Sequence, residues 1–146
     1  MMMSDSIKIL LVEDDELDQK TVRRFLVKDA AFENRYDLEI AGSLTEATQK
    51  IAASDFTIVL LDLNLPDSNG FATFRKISDL TRSPIIIMTG LHDQKIALEA
   101  LQNGAQDFLV KGEFDQNVLQ RSIRYSLQRA KIAGELISAK ERAEQI

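Results

Sequence analysis

Residues 7–15 read Ile-Lys-Ile-Leu-Leu-Val-Glu-Asp-Asp, a strand-like apolar run that ends in three acidic residues. Three later apolar runs also end in chemically useful side chains: 56–61 before Asp62, 85–88 before Thr89 and Gly90, and 107–110 before Lys111. In an open parallel sheet the carboxyl ends of the strands lie along one edge. We therefore expect these distant side chains to meet in one crevice, a hypothesis until the strand order is known.

Strand-like and helical patterns alternate along the whole chain. The predicted strands are 7–12, 38–41, 56–61, 85–88 and 107–110, and helical spacing follows each of them, starting with a helix at about 15–28. Alternation of this kind specifies an α/β domain with a parallel sheet, because each crossover returns the next strand in the same direction.

Capping residues mark where these helices begin and end. Asp15 is placed to cap the first helix, which we prefer to a metal-binding role for this residue. Ser43 to Glu46 matches the S-x-x-E capping box of a second helix, and Asp115 is placed to cap the last one. Asn103-Gly104 predicts the C-terminal end of the fourth helix.

Composition excludes several classes of protein. The chain has 146 residues, 45% hydrophobic and 28% charged, which is typical of one globular domain, and no apolar run approaches the roughly 18 residues of a membrane span. The first residues do not resemble a secretory signal, and the absence of cysteine fits a reducing compartment, so we expect a cytoplasmic protein without membrane contact. The net charge of −5 argues against direct nucleic-acid binding.

The chain resembles the receiver domain of two-component response regulators over about residues 7–130. The residues that carry the resemblance are the acids Glu13, Asp14 and Asp62, together with Thr89 and Lys111. Two further stretches carry the likeness, Asp-Leu-Asn-Leu-Pro-Asp-Ser-Asn-Gly at 62–70 and Gly-Ala-Gln-Asp-Phe at 104–108. The resemblance implies a flavodoxin-like, doubly wound sheet of five parallel strands in the order 2-1-3-4-5. It does not separate a freestanding regulator from the receiver module of a larger hybrid or multidomain signalling protein.

Three carboxylates in one pocket require a compensating cation. A pair of like charges 4 Å apart costs about 4 kcal/mol at an effective dielectric of about 20, and Mg²⁺ prefers carboxylate, carbonyl and water oxygens. The resemblance implies that Asp14 and Asp62 bind Mg²⁺ directly, Glu13 through water and Asn64 through its backbone carbonyl.

The resemblance also implies a reaction. Asp62 would be the phosphoacceptor, taking a phosphoryl group from a sensor histidine kinase or a phosphotransfer protein. Lys111 and Thr89 would stabilise the charge on the phosphoryl oxygens, although Lys111 is equally expected to form a salt bridge to the acids. The chain would catalyse only its own phosphorylation and dephosphorylation, and would signal to a downstream output domain or protein through the surface around the last two strands and helices.

The same strand-end acids are compatible with a second class of function. A small Mg²⁺-dependent phosphatase of the haloacid-dehalogenase-like type would also use acids at strand ends. Such enzymes need an Asp-x-Asp pair, however, and position 64 is Asn; no part of the chain resembles a cap domain either.

Three residues near the site have open or unusual interpretations. Phe108 occupies the aromatic switch position of the family, but its alternation with neighbours equally predicts a core aromatic. Where the family usually has Lys-Pro with a cis bond, this chain has Lys111-Gly112. Because a non-proline cis bond costs about 2.5–4 kcal/mol, we predict a trans bond with unusual dihedrals at Gly112. His92, the single histidine, is expected in a loop near a helix start.

We divide the chain into a disordered N-terminus (1–6), a receiver domain (7–130) and a helical C-terminal extension or linker (131–146). In the extension the spacing of apolar residues is that of a short coiled-coil seam, formed by Ile132, Leu136, Ala139, Ala143 and Ile146. A weak homodimer through this helix and a frayed tail are both compatible with so short a pattern, which Gly134 interrupts.

Overall fold

The computed structural model describes residues 6–26 and 35–144. Within these ranges five strands form the main sheet: β1 (Ser6–Val12), β2 (Arg35–Ala41), β3 (Ile58–Asp62), β4 (Ile85–Thr89) and β5 (Asp107–Val110). The helices are α1 (Glu16–Phe25), α2 (Leu44–Ala53), α3 (Phe71–Leu80), α4 (Gln94–Gln102) and α5 (Gln116–Glu144).

The sheet has the order β2-β1-β3-β4-β5, and all of its pairings are parallel. This confirms the predicted flavodoxin-like topology, in which the strand order reverses beside β1. A hairpin of two short antiparallel strands, Asn64–Leu65 and Ser68–Asn69, follows β3.

Alternating side chains of the strands build two cores, one on each face of the sheet. Leu10 and Val12 of β1 face the core under α2, α3 and α4, whereas Ile9 and Leu11 face the core under α1 and α5. Every residue of β3 is buried. Helices on both faces explain why residues 58–61 are continuously apolar rather than alternating.

Two element boundaries differ from the sequence prediction. β2 begins at Arg35 rather than Leu38, because its first residues pair with β1 in a register that joins Ser6 to Arg35. The strand lies at the edge of the sheet and buries only Ala41 fully, so polar residues are tolerated there and conceal the strand pattern. Ser6 belongs to β1, not to the N-terminal tail, whose other residues lie outside the described ranges, as do residues 27 and 28 of the predicted first helix.

The predicted caps are present. The carboxylate of Asp15 accepts a hydrogen bond from the amide of Asp18 at 2.9 Å, and that of Asp115 accepts one from Val118 at 2.9 Å. The Ser43 hydroxyl accepts the Glu46 amide at 3.1 Å, which is one of the two hydrogen bonds of the predicted capping box. Asn103 is the C-cap of α4.

α5 continues through residue 130 without a break and ends at Glu144. Ile146, the last residue of the predicted seam, lies outside the described ranges. None of the helices in the described part of the chain combines the length and the apolar composition that a membrane crossing would need.

Candidate functional site

The predicted site residues lie at consecutive strand ends. Glu13 and Asp14 directly follow β1, Asp62 is the last residue of β3, Thr89 is the last of β4, and Lys111 directly follows β5. Because β1, β3, β4 and β5 are neighbours in this order and parallel, their carboxyl ends share one edge of the sheet. The topology therefore brings these five residues together.

Lys111 connects the acids of the site. Its Nζ atom lies 2.9 Å from Oδ2 of Asp62, 2.6 Å from Oε1 of Glu13 and 3.1 Å from Oδ2 of Asp18. Its backbone amide donates to the carbonyl of Thr89 at 2.7 Å, which holds the loop after β5 against β4. Burial opposes the charge, but the hydrogen bonds and charges of Glu13 and Asp62 raise the pKa of Lys111, so this residue remains an ammonium ion.

Glu13 is the most buried acid of the site, with a fully buried side chain. Its Oε2 accepts the amide of Asp15 at 3.1 Å, and its Oε1 forms an ion pair with Lys111. Burial raises the pKa of Glu13 to about 7; Lys111 opposes the rise and Asp62 adds to it. One ammonium shared among several carboxylates does not neutralise them, so the site is short of positive charge.

Thr89 contributes a buried hydroxyl without a partner. Its side chain is 1% exposed, and its Oγ1 has no hydrogen-bond partner among the described residues. In the sheet Thr89 pairs with Val110, the residue before Lys111. Leaving a buried hydroxyl unsatisfied costs about 1–3 kcal/mol, which a ligand that accepts this hydrogen bond would recover.

The acids could hold a metal ion. One oxygen each from Glu13, Asp14 and Asp62 lie within 4.8 Å of one another. Asp14 is exposed, whereas Glu13 and Asp62 are buried. A cluster of hard oxygen donors with a deficit of positive charge fits Mg²⁺. The roles of these residues and of the Asn64 carbonyl as ligands stay predictions.

The loop after β3 is tied to two neighbouring elements. The amide of Asn64 donates to Oδ1 of Asp62 at 3.0 Å, and its side-chain Nδ2 donates to Asp93 at 2.7 Å, before α4. Farther along, Asp67 accepts the amides of Leu44 and Thr45 at 2.8 and 2.9 Å, at the start of α2. These hydrogen bonds, the Thr45 amide first, lower the pKa of Asp67. They fix the loop that carries Asn64.

Three secondary predictions concern the rim of the site. The peptide bond between Lys111 and Gly112 is trans, and Gly112 has φ of +83°, so the prediction made from the missing proline is confirmed. His92 is exposed in the 3-10 turn Leu91–Asp93, before α4. Phe108 is half-buried against the core under α2, α3 and α4; this fits a core aromatic, and its role as a switch stays a prediction.

Sequence reasoning missed Asp18, Asp67 and Asp93. Asp18 lies in the first turn of α1, where an acidic residue is common for reasons of helix electrostatics alone. Asp67 and Asp93 contact residues 22 and 29 positions away. No local pattern signals such pairs, since they form only when separate loops meet at the same edge.

Comparison with known proteins agrees with this geometry. The family model of the response regulator receiver domain matches residues 9–124. The chain is similar to the regulatory protein VanRB of Enterococcus faecalis, with 34% identity over 86% of this chain and 54% of that protein. It is also similar to the response regulator ArlR of Staphylococcus saprophyticus, with 35% identity over 84% of this chain and 53% of the relative. The chain thus spans about half the length of these relatives.

Solved structures show the same fold. The receiver domain of a putative Luxo repressor protein from Vibrio parahaemolyticus superposes with a TM-score of 0.74 and 29% identity, covering 90% of this chain and 97% of that one. A CheY-like receiver domain protein from Methanospirillum hungatei gives a TM-score of 0.71 and 27% identity, over 88% and 99% of the two chains.

Proposed function

This chain belongs to the family of response regulator receiver domains, and we propose that it accepts a phosphoryl group on Asp62. The observation that carries the proposal is the Lys111 ammonium, which contacts Asp62 and Glu13 at 2.9 and 2.6 Å in a site that also holds a buried hydroxyl without a partner. A carboxylate, a fixed cation and a free donor are the groups that phosphoryl transfer to an acid requires.

The donor is a phosphohistidine on a sensor histidine kinase or a phosphotransfer protein. An oxygen of the Asp62 carboxylate forms the new P–O bond while the P–N bond of the donor breaks. The imidazole nitrogen keeps the electron pair of the broken bond and takes up a proton. The product is an aspartyl phosphate on this chain.

Residues of this chain stabilise the charge that develops during transfer. Lys111 is held by three carboxylates, so its ammonium is positioned before the phosphoryl group arrives. The Thr89 hydroxyl has no hydrogen-bond acceptor among the described residues. It can therefore donate to a phosphoryl oxygen without breaking an existing hydrogen bond. The Asn64 amide keeps one oxygen of Asp62 oriented, at 3.0 Å.

Mg²⁺ is the cofactor that the donor set suits. Asp14 and Asp62 would hold it directly, Glu13 through water and Asn64 through its backbone carbonyl. When bound, the ion supplies positive charge to the phosphoryl oxygens and to the acids. The clustering of one oxygen each from Glu13, Asp14 and Asp62 within 4.8 Å supports this assignment.

The receiver comprises residues 7–130, and its phosphorylation controls an output module or a partner protein. The surface around β4, β5, α4 and α5 carries the signal, with Phe108 as the residue that changes its packing. The relatives include transcriptional regulatory proteins about twice or more the length of the matched segment, which supports an output outside the receiver fold. A freestanding regulator and a module of a hybrid protein are both consistent with this function.

The phosphatase alternative gains no support. The matched family and the quoted relatives are signalling proteins rather than conventional enzymes. Position 64 is Asn rather than the second Asp that such a phosphatase needs, and its side chain donates a hydrogen bond to Asp93.

Acetyl phosphate labelling with Mg²⁺ tests the function. We expect one acid-stable, base-labile phosphate per chain on the wild type, none on Asp62→Asn, and full labelling of the matched variant Asp79→Asn, whose carboxylate is exposed on α3. Labelling of Asp62→Asn, or sustained multi-turnover release of phosphate from sugar phosphates, would contradict the proposal.

A further inference from the structure

The last part of α5 extends beyond the body of the domain. Arg129 still holds the helix to the residue before β5, through a hydrogen bond from its guanidinium to the carbonyl of Gln106 at 3.0 Å. From Lys131 to Glu144 every residue is exposed. This segment, which we call the projecting helix, therefore obtains little stabilisation from the receiver fold.

Large apolar side chains on the projecting helix are more than half exposed to solvent. Ile132 is 57% exposed and Leu136 is 70% exposed. Ala139 and Ala143 continue their line at the 4-3-4 spacing of a coiled-coil seam. Ile137, 58% exposed, lies beside this line rather than on it. Ile137 is therefore a control position: it is apolar and exposed like the seam residues, but it lies outside the seam.

The projecting helix lacks the packing that stabilises most helices in proteins. It continues α5, so the turns before it nucleate it, but helical stability in proteins comes mostly from packing of an apolar face. It also contains Gly134, a poor helix former. Packing of its apolar line against another helix would supply the missing stabilisation.

Two charged residues flank the seam in complementary positions. The spacing puts Leu136 at heptad position a, Glu135 at g and Lys140 at e of the same chain. In a parallel coiled coil the g residue of one helix faces the e residue five positions later in its partner. Neither Glu135 nor Lys140 forms an ion pair within the described ranges of the chain, so both are available for such contacts.

We propose that the projecting helix is a self-association surface that pairs, parallel and in register, with the same helix of a second copy of this chain. Two-fold symmetry then forms the Glu135–Lys140 contact twice and sets Ile132 and Leu136 against their own counterparts in consecutive layers. An antiparallel pair that overlaps all four seam positions would instead face both of these residues with alanines and place Lys140 opposite Ala133.

Sedimentation equilibrium on the full chain tests the surface. We expect Leu136→Lys to raise the dissociation constant of the self-associated form by at least about tenfold, and Ile137→Lys to change it by less than about threefold. The two variants introduce the same charge at adjacent, exposed positions, and unchanged thermal midpoints verify folding. A wild type that stays monomeric at its highest soluble concentration, or equal effects of the two variants, would overturn the proposal.

A charge exchange tests the orientation. Glu135→Lys should weaken association, and the double variant Glu135→Lys/Lys140→Glu should restore it, because each lysine again faces a glutamate across the parallel pair. In the antiparallel pair that overlaps all four seam positions, Glu135 would face Arg142, so the second substitution would not restore association. Failure of the double variant to recover would therefore reject the parallel arrangement.

The chain has no cysteine, so a single introduced thiol gives an independent test. Leu136→Cys should form a disulfide-linked dimer under mild oxidation at least about tenfold faster than Ile137→Cys. Equal rates for the two thiols would indicate random collision and would overturn the proposal.

Discussion

The ammonium of Lys111 lies 2.9 Å from Oδ2 of Asp62, although 49 positions separate the two residues in the chain. β4 lies between the strands that carry them, and the contact spans it at the carboxyl edge of the sheet. The same ammonium contacts Glu13 and Asp18. The site is therefore an acid cluster organised around one lysine, and the following predictions depend on that arrangement.

Replacing Lys111 with Met should separate metal binding from phosphoryl transfer. Loss of the ammonium removes a cation that competes with Mg²⁺ for the same carboxylates, so Mg²⁺ affinity should rise by at least about tenfold. Labelling by acetyl phosphate should slow by about a hundredfold, because a fixed charge near the phosphoryl oxygens is lost. Calorimetry and labelling rates measure the two effects, with Lys20→Met, an exposed lysine of α1, as the control. A fall in both quantities would instead assign Lys111 a purely structural role.

Thr89→Val should affect stability and function in opposite directions. Because the hydroxyl of Thr89 is buried without a partner among the described residues, replacing it with a methyl group of similar shape should leave the free energy of unfolding unchanged or raise it by about 1–3 kcal/mol. Labelling at Asp62 should slow by about tenfold. Urea unfolding and labelling measure these effects, and Thr89→Ser, which keeps the hydroxyl, should label nearly as well as the wild type. A large loss of stability in Thr89→Val would show that the hydroxyl is satisfied in the native state.

Stability without metal should fall as pH rises from about 4.5 to about 7. The pKa of Glu13 is raised from 4.5 to about 7 in the folded chain, so between these values the folded state binds the proton that the unfolded state has released. Stability from this group is therefore largest below pH 4.5 and declines through pH 7, by at most about 3 kcal/mol.

Urea unfolding between pH 4.5 and 8 checks this dependence. Glu13→Gln should flatten the curve over that window, because the amide does not titrate. Saturating Mg²⁺ should reverse the trend, since the ion favours the ionised carboxylate and its affinity should increase with pH. A wild-type curve that rises over the same window would contradict the assignment to Glu13.

Alanine substitutions at Gly112 and Gly134 should change the stability of the fold in opposite directions. Gly112 has φ of +83°, a conformation that costs an L-residue about 1–2 kcal/mol. Gly134 lies within α5, where alanine is favoured by about 1 kcal/mol. A Cβ at either position would meet open space, so backbone conformation alone decides the outcome. Thermal unfolding should show Gly112→Ala destabilised, and helicity should increase in Gly134→Ala; equal effects would argue against the loop conformation described for Gly112.

The succession of strands and helices along the chain could be predicted from the sequence. Apolar runs of strand length, separated by helical spacing and capping residues such as Asp15 and Ser43, predicted the five strands, the helix starts and the parallel sheet. These signals are short-range, because pleat, helical period and capping are properties of neighbouring residues. The edge strand β2 was found only in part, since an edge accepts polar residues that weaken the pattern.

The location of the site was predicted partly from the sequence pattern and partly from the family resemblance. Their placement at strand ends follows from the sequence alone, but their convergence required the strand order, which periodicity does not contain; the order was supplied by resemblance and confirmed by the sheet. Phe108 shows the remaining gap, since its position in the chain is equally consistent with a core aromatic and a switch.

The sequence by itself determined which side chains end the strands, where most helices begin, and that Lys111-Gly112 needs no cis bond. Only the tertiary structure decided that Lys111 is shared by three carboxylates, that Glu13 is fully buried and the Thr89 hydroxyl has no partner within the described residues, and that Asp67 and Asp93 anchor the loop carrying Asn64. The physical reason is distance: local dihedral and periodic preferences act between neighbours, whereas burial and charge pairing arise when strands and loops far apart in the chain close on one edge of a sheet.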